Sequence, residues 1–398
     1  MKQKISWQTK RTGAAGLAIL LVAAFMLAAC QKTPVSSPDG SSDGAGATTT
    51  SVQAETTTAA GTTTAAGTAD GTGSAPTGDG TPLPTGQGTT ASTSGGAAAS
   101  TTGGSTGTTA TATPSTVTCD FRKPGDTNTF GVWWWKIGTV KTAQGDTYLN
   151  FLAENKVSEI YLCIDGLSEN GNVSFSDVRA FVKKAKAKGM RVAALTGDYK
   201  WIEPTNTGFE GYVNKYNAYQ KAAAADEKFY SMHLDVEPHQ HPDFKTGTAG
   251  RAKVMQWFAD FAVNKAAPAA KAAGTLLEWD IPFWMTDTVN AQGGSIVLAE
   301  LMAKICDTIT IMSYRDTAVA MLDVSKEEIA FAKKHGCKIV LGAETYSKEG
   351  DAVSFMEEGK AYMAKELTSL NSRLLTELPD RNFGLAVHQN ERWYALKD

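Results

Sequence analysis

The C-terminal part of the chain is predicted to fold as a (β/α)8 barrel. From residue 118 onward, apolar strand-like runs recur and amphipathic helical stretches separate them. Strand-then-helix units in series favour a parallel sheet, and eight units within about 280 residues favour its closure into a barrel. An open doubly wound sheet is the alternative, which is disfavoured because no glycine-rich phosphate loop follows the first run. The predicted strands are Phe130–Trp135, Glu159–Asp165, Arg191–Gly197, Phe229–Glu237, Leu276–Trp284, Thr308–Asp316, Lys338–Thr345 and Phe383–His388.

The start of the chain has the layout of a secretion signal. Basic residues precede an apolar run over Ala14–Ala29, which is short for a membrane span. The run ends Leu27-Ala28-Ala29-Cys30, which resembles the lipobox of bacterial lipoproteins. The resemblance implies cleavage of a signal peptide, residues 1–29, and lipidation of Cys30. We therefore expect a lipid-anchored protein on the extracellular face of the bacterial cell membrane, with an uncleaved signal anchor as the alternative.

Residues 30–117 are predicted to be a disordered tether. The composition there collapses to Thr, Gly, Ala, Ser and Pro, and no aromatic residue occurs. Such a segment cannot bury enough apolar surface to offset the conformational entropy it would lose on folding. The predicted domains are therefore the signal peptide, this tether, and a barrel over residues 118–398.

The helices between the strands carry recognisable start and stop signals. Ser176–Lys188 is followed by Gly189, and Ser325–His335 is followed by Gly336. Serine is a favoured N-cap residue, and glycine commonly ends a helix in the left-handed conformation. A longer helix is predicted over Asp351–Leu375.

The fourth strand is the most informative of the eight. Along Phe229–Asp243, apolar side chains alternate with Ser231, His233, Asp235 and Glu237. Alternation places the polar set on the barrel interior and the apolar set against the helices. Pro238 ends the strand, since it has no N–H to donate. Asp235 and Glu237 are therefore predicted at the C-terminal tip of the strand.

The same alternation predicts polar side chains at the last inward position of other strands. Those tips converge on one mouth of a barrel, where barrel enzymes keep their active sites. The predicted inward residues at the tips are Asp165, Asp280, Trp284, Tyr314, Asp316, Glu344 and His388.

Asp235 and Glu237 are the first catalytic candidates. Glycoside hydrolysis needs a proton donor for the leaving oxygen and a group that stabilises an oxocarbenium-like centre. A carboxyl crowded by another carboxylate has a raised pKa and can hold its proton near neutrality. The alternative is a structural role as buried ion-pair partners.

At these residues the chain resembles the chitinase-like glycoside hydrolases of family 18. The resemblance rests on Leu234-Asp235-Val236-Glu237, on Met312-Ser313-Tyr314 and, less specifically, on Leu195-Thr196-Gly197. It implies that Glu237 is the general acid, that Asp235 orients a substrate N-acetyl group acting as nucleophile, and that Tyr314 binds that group. The chain departs from the family at His233 and Tyr230, at Arg315 after the tyrosine, and at His388, where the family has a tryptophan.

Two other mechanisms are open. Glu344 on the seventh strand could be a nucleophile opposite Glu237, or it could form a salt bridge with Arg315 or a lysine. A metal-dependent hydrolase is the third possibility, because His233, His239 and His241 interleave with Asp235 and Glu237.

Aromatic residues near the strand ends fit a sugar site, because flat rings can stack on pyranose faces. The candidates are Trp133, Trp135, Trp201 and Trp284, with Trp201 as the best platform. Some of these rings are expected to be core residues instead.

The remaining expectations concern partners. The formal net charge of -3 gives no indication of a nucleic-acid partner. We expect a carbohydrate substrate, no cofactor and a monomer. Cys306 and Cys337 each precede a strand at the opposite end of the barrel from the mouth, which allows a disulfide between them. A non-catalytic, glycan-binding barrel is the competing prediction.

Overall fold

The computed structural model describes residues 117–123, 125–346 and 352–398. Eight parallel strands form a closed barrel in which each strand pairs with its neighbours along the chain and the last pairs with the first. They are β1 Thr129–Trp134, β2 Glu159–Cys163, β3 Arg191–Thr196, β4 Ser231–Leu234, β5 Leu276–Pro282, β6 Thr308–Met312, β7 Lys338–Glu344 and β8 Phe383–His388. The predicted (β/α)8 fold is confirmed. The predicted signal peptide, Cys30 and almost all of the tether lie outside the described residues.

Helices follow the strands and cover the outside of the barrel. They are α1 Ala143–Glu154, α2 Phe175–Ala187, α3 Gly208–Ala222, α4 Thr248–Phe261, α5 Ala267–Ala273, α6 Leu298–Ile305, α7 Ala318–Val324, α8 Lys326–His335, α9 Lys360–Glu377 and α10 Asn390–Ala395. A π-helical turn, Ala262–Ala266, joins α4 to α5. Two short sheets of two strands each, Leu167–Ser168 with Val173–Ser174 and Thr288–Ala291 with Gly294–Val297, lie outside the barrel. No described helix has both the length and the apolar character needed to span a bilayer.

The start of α2 and the start of α9 differ from the predictions. The N-cap of α2 is Ser174, which forms a capping box with Asp177, so the helix begins before Ser176. α9 begins only at Lys360, because Gly359 has a φ of 93° that a helix cannot continue through. The glycine stop of α8 at Gly336 is confirmed, with the left-handed conformation expected.

The main apolar core lies between the barrel and its helices. The outward residues of every strand belong to it; on β4 and just beyond they are Met232, Leu234 and Val236. A smaller apolar cluster inside the barrel includes Trp133, Tyr161 and Ala193. The predicted alternation is therefore confirmed on β4: apolar side chains face outward and polar side chains face the barrel interior.

Two strand pairings place site residues side by side. His233 on β4 is in register with Glu278 on β5. Glu344 on β7 is in register with His388 on β8. Neighbouring residues of parallel strands in register point to the same face of a sheet, so both pairs share the barrel interior.

The structure shows no bond between the two cysteines for which a disulfide was possible. Cys306 and Cys337 are both buried free thiols, one at the end of α6 and one just before β7. Burial raises the pKa of Cys337 to about 12, so the thiol form persists at neutral pH.

Candidate active site

The mouth of the barrel gathers acidic and aromatic side chains from five strand ends. Burial, and then the charges of Glu344, Asp280, Asp235 and Glu237, raise the pKa of Tyr314 well above its usual value. Because such electrostatic effects require proximity, these carboxyl groups lie near the phenol. The ring of Tyr314 is 6.0 Å from that of His388. Of the residues predicted at the strand tips, these six share one region.

Glu237 lies just beyond β4, immediately before a 3-10 turn that begins at Pro238. Its carboxyl group is only 4% exposed and accepts a hydrogen bond from the Gln240 amide. Burial, and then the charge of Asp235, raise the pKa of Glu237 well above its usual value. This shift favours the protonated carboxyl, which is the state that a general acid needs.

Asp235 follows the last residue of β4, and its backbone N–H still donates to the Thr196 carbonyl of β3 at 3.0 Å. One carboxylate oxygen, Oδ1, is buried without a hydrogen-bond partner among the described residues. Burial and the charge of Asp280 raise the pKa of Asp235 to about 7, against the opposing influence of His233 and His388. Asp235 can therefore change its charge near neutral pH.

A second acidic layer lies deeper in the barrel, one inward position below Asp235. His233 is fully buried between two carboxylates: its Nδ1 is 3.1 Å from Glu278 Oε2, and its Nε2 is 2.7 Å from Asp280 Oδ1. The imidazole also stacks on Tyr161, with ring centroids 4.2 Å apart. We call His233, Glu278 and Asp280 the inner acid layer.

Glu344 and His388 form a hydrogen-bonded pair on the other side of the mouth. His388 Nδ1 is 2.9 Å from Glu344 Oε2, and the Trp135 indole N–H donates to His388 Nε2 at 2.7 Å. An indole N–H can only donate, so His388 Nε2 accepts here and the ring proton lies on Nδ1. Burial opposes a charge on this ring, whereas Glu344, Asp235 and Asp280 raise the pKa of His388. The other Glu344 oxygen accepts from the backbone N–H groups of Thr345 and Tyr346. Glu344 thus accepts three hydrogen bonds, which fix the position of its carboxyl group.

Several predicted sugar-contacting residues have other surroundings. Trp201 is 8% exposed and packs beside Phe209 and Tyr212 in the outer core, so its prediction as the best sugar platform is wrong. The reason is local: the 3-10 turn Tyr199–Ile202 folds the indole back onto α3. Trp133 is buried inside the barrel, where its N–H donates to Asp280 at 2.8 Å. It supports the site from below and has no free face.

The other three residues predicted at the strand tips lie outside this group. Asp165 is exposed and accepts a hydrogen bond from Thr196 at 2.8 Å. Asp316 is half-buried just after β6. Trp284 packs outward, contrary to its predicted inward direction: its ring is 5.2 Å from that of His239, and Arg251 lies over it. The chain leaves the strand after Pro282, so the alternation no longer applies at Trp284.

The five residues of the metal alternative do not converge. His233 points into the inner acid layer, His239 packs against Trp284, and His241 is directed toward Glu203 at 3.3 Å. Within the described ranges, no group of three or more His, Cys, Asp and Glu side chains is arranged to hold a metal ion. The 3-10 turn after Pro238 separates the loop histidines, so alternation in sequence does not become proximity in space.

Sequence reasoning did not assign roles to Gln240 and Tyr161. Gln240 donates to Glu237, and it lies in a turn whose path no periodicity indicates. Tyr161, stacked on His233, occupies an inward position of β2, so the same alternation could have found it.

A cavity of about 420 Å³ lies away from these residues. It is open to solvent and lies between the end of α4 and the Thr288–Val297 hairpin. Its lining consists of Asp260, Val263, Asn264, Asn290, Ala291, Gln292, Gly293, Gly294 and Ser295. None of the mouth carboxylates contributes to it, so it is not the site described above.

The fold and the site together define a (β/α)8 barrel with a pair of carboxyl groups of raised pKa at its mouth. No protein-family model and no curated protein matches the sequence. Among solved structures, the chain is similar to a GH113 β-1,4-mannanase, with 11% identity, 69% of this chain and 90% of that chain covered, and a TM-score of 0.40. It is also similar to the Bacillus megaterium spore cortex-lytic enzyme SleL, with 12% identity, 69% and 74% coverage and a TM-score of 0.40. A chitinase from Ipomoea carnea gives 10% identity, 67% and 96% coverage and a TM-score of 0.38. Similarity at this level does not bear on the chemistry of the site.

Proposed function

We propose that the barrel is a glycoside hydrolase that acts on an extracellular polysaccharide or glycan with retention of configuration. The observation that carries the proposal is the carboxyl pair at the barrel mouth: Glu237 is buried, Asp235 is partly buried with its Oδ1 enclosed, and burial raises the pKa of each. Paired carboxyl groups with raised pKa values at this place in a barrel match what glycosyl transfer to water requires.

In the proposed mechanism Glu237 donates its proton to the leaving glycosidic oxygen as the bond from that oxygen to the anomeric carbon breaks, and an N-acetyl oxygen of the substrate, oriented by Asp235, bonds to the anomeric carbon from the opposite face. The Glu237 carboxylate left behind then accepts a proton from the water that attacks the anomeric carbon and displaces the N-acetyl oxygen, which returns the enzyme to its starting state. The Gln240 amide, which donates to Glu237, would stabilise that carboxylate between the two steps.

Asp235 is the assisting carboxylate in this proposal. Its buried Oδ1 has no partner within the described residues, so it is free to contact a substrate group or the positive charge that develops on the sugar. Glu344 is the less favourable nucleophile, because His388 and two backbone N–H groups already engage both of its oxygens. Three hydrogen bonds lower the nucleophilicity of a carboxylate.

We also propose that lipidation at Cys30 anchors the protein on the extracellular face of the membrane. The support is the order of basic, apolar and small residues before Cys30, which is typical of lipoprotein signals. Several acyl chains on one residue would give a stable anchor.

A non-catalytic glycan-binding barrel is the second candidate. The observation that favours it is the low exposure of the mouth, where Tyr314 is 3% exposed, Glu344 5% and His388 9%. The anomeric carbon of a substrate sugar has to lie beside Glu237, and the low exposure of these side chains gives it little access from solvent.

The deciding experiment measures hydrolysis of chitin oligomers, mannan, N-glycans and peptidoglycan by the full-length chain, with Glu237→Gln and Glu154→Gln alongside. Glu154 is an exposed residue of α1 and serves as the matched control. We expect cleavage of at least one glycan, a loss of about 10²–10⁴-fold in Glu237→Gln, and no change in the control. Binding without cleavage, unaffected by Glu237→Gln, would establish the second candidate instead.

A further inference from the structure

The inner acid layer carries a feature that ordinary hydrogen bonding of a neutral histidine does not explain. Both ring nitrogens of His233 face carboxylate oxygens, at 3.1 Å and 2.7 Å. An ionised carboxylate only accepts hydrogen bonds, and a neutral imidazole has one N–H. With a neutral ring, one nitrogen lone pair would face a carboxylate lone pair in a fully buried place.

The other partners of the two carboxylates are all donors. Glu278 Oε2 accepts from the hydroxyls of Tyr230, at 2.8 Å, and Ser231, at 2.9 Å. Asp280 Oδ2 accepts from the Trp133 indole N–H at 2.8 Å. These donors favour ionised carboxylates, and two ionised carboxylates require both His233 nitrogens to be protonated.

We propose that His233 is a positioning residue: a permanently charged imidazolium that keeps Glu278 and Asp280 ionised and thereby sets the protonation of Asp235 and Glu237 above them. The proposal rests on the function proposed above. The groups that act directly on His233 are Tyr161 from β2, Glu278 and Asp280 from β5, and Asp235 just after β4. Around them, Tyr230 donates to Glu278, Trp133 donates to Asp280, and His388 interacts with Asp235 and Asp280.

The charge arithmetic of the layer explains the effect on the site. Two carboxylates and one imidazolium leave a net charge of about −1 beneath Asp235, whereas a neutral residue at position 233 would leave about −2. His233 lowers the pKa of Asp235, against burial and Asp280, which raise it to about 7. Without the imidazolium, Asp235 and Glu237 would hold their protons to higher pH.

The direct test is ¹⁵N NMR of the full-length chain, labelled at histidine and held in detergent. The chain has five histidines, so the ring signals can be separated, and the spectrum of His233→Gln assigns the one that disappears. Burial opposes the charge, but Asp280 and Glu278 raise the pKa of His233 to about 10. We expect both ring nitrogens of His233 to stay protonated from about pH 6 to about pH 9. A ring that is neutral at about pH 8 would overturn the proposal.

The kinetic test compares His233→Gln with the charged variant His233→Lys. We expect His233→Gln to move the acid limb of the kcat/KM profile, which reports the Asp235–Glu237 pair, upward by about one pH unit, and His233→Lys to restore it. A purely structural role would lower the rate at every pH without moving the limb.

If no glycan is cleaved, the proposed function fails but the NMR result still decides the charge of His233. A neutral His233 in an active enzyme would contradict this inference alone.

Discussion

At the scale of the residue, burial favours the uncharged form of Glu237 and of His239, which lies two positions further along the chain. It raises the pKa of Glu237 well above its usual value and lowers the pKa of His239, helped by Lys245 and Arg251, to about 4. His239 is therefore uncharged at neutral pH, and the shift at Glu237 favours its uncharged carboxyl; His239 Nε2 lies 3.7 Å from Glu237 Oε1. A neutral imidazole beside Glu237 leaves the pKa of the Glu237 carboxyl raised, whereas a charged imidazolium would lower it.

A variant at Glu344 distinguishes the two retaining mechanisms: the proposed one, in which Asp235 assists, and the alternative, in which Glu344 is the nucleophile. In Glu344→Ala, azide restores turnover if Glu344 is the nucleophile, because the small anion can take the place of the missing carboxylate. We expect no restoration, since Asp235 is the assisting group in our proposal. We also expect the unfolding free energy to fall by about 1–3 kcal/mol, because His388 and two backbone N–H groups lose their acceptor.

The measurements are initial rates with and without azide, and urea unfolding. Glu377→Ala, at the exposed end of α9, is the control for both and is expected to change neither. Azide-dependent turnover with an inverted glycosyl azide product would assign the nucleophile to Glu344.

At the scale of the element, the end of β3 fixes the position of Asp235. Gly197 follows β3 directly, and a Cβ atom placed there would lie 1.7 Å from the Asp235 carbonyl oxygen. The two chain segments can therefore approach this closely only with glycine at position 197. This contact explains physically why a glycine follows Leu195 and Thr196.

Gly197→Ala is expected to displace the Asp235 backbone and lower kcat by about 10²-fold, since a shift of about 1 Å in a catalytic group has effects of that size. Rates and thermal unfolding are the measurements. Gly211→Ala, inside α3 with open space around it, is the control and should stabilise the fold by about 0.5–1 kcal/mol without changing the rate. An unchanged rate in Gly197→Ala would show that the β3 end does not position Asp235.

At the scale of the whole molecule, an ion cluster ties the N-terminal end of the barrel together. Glu159 on β2 is fully buried and pairs with Arg191 on neighbouring β3 and with Lys338 on β7 across the barrel. Burial opposes the charge, but Lys338 and Arg191 outweigh it and lower the pKa of Glu159 to about 2. A carboxylate with a lowered pKa stabilises the folded state above its unfolded pKa, and the contribution is lost as the pH falls toward the folded pKa.

The unfolding free energy is therefore expected to decrease as the pH falls from about 4.5 to about 2, and Glu159→Gln should flatten that decrease. The variant should also cost about 3–5 kcal/mol at neutral pH, because it leaves two cations without their buried partner. Urea unfolding at several pH values measures both effects. Asp146→Asn, which removes a surface pair with Lys184, should change stability by less than about 1 kcal/mol at any pH.

The proposed anchor can be tested in a bacterial host. Cys30→Ser is expected to abolish labelling of the protein by a fatty-acid analogue and to prevent its extraction with the membrane fraction. Cys119→Ser, which changes a thiol within the barrel domain, should still be labelled. A Cys30→Ser protein that stays labelled would contradict the anchor at this residue.

Local pattern in the chain was enough to predict the barrel and the inward set of polar residues. Strand alternation has a period of two and needs only a few consecutive residues, so it placed His233, Asp235, Asp280, Glu344 and His388 in the interior before any pairing was known. It failed where the chain leaves the ladder, as at Trp284. The separate prediction of Trp201 as a sugar platform rested on its place in a loop, and it failed because the direction of a side chain in a turn depends on the path of the loop.

The partners of those inward residues were decided only by the tertiary structure. His233 meets Glu278, and Glu344 meets His388, because the register of β4 with β5 and of β7 with β8 places them side by side. Register is a relation between distant segments that closure of the whole barrel fixes, and a slip of one residue would turn each pair to the opposite face. The sequence by itself determined which groups the barrel encloses; their contacts, and hence their charges, depend on the closed structure.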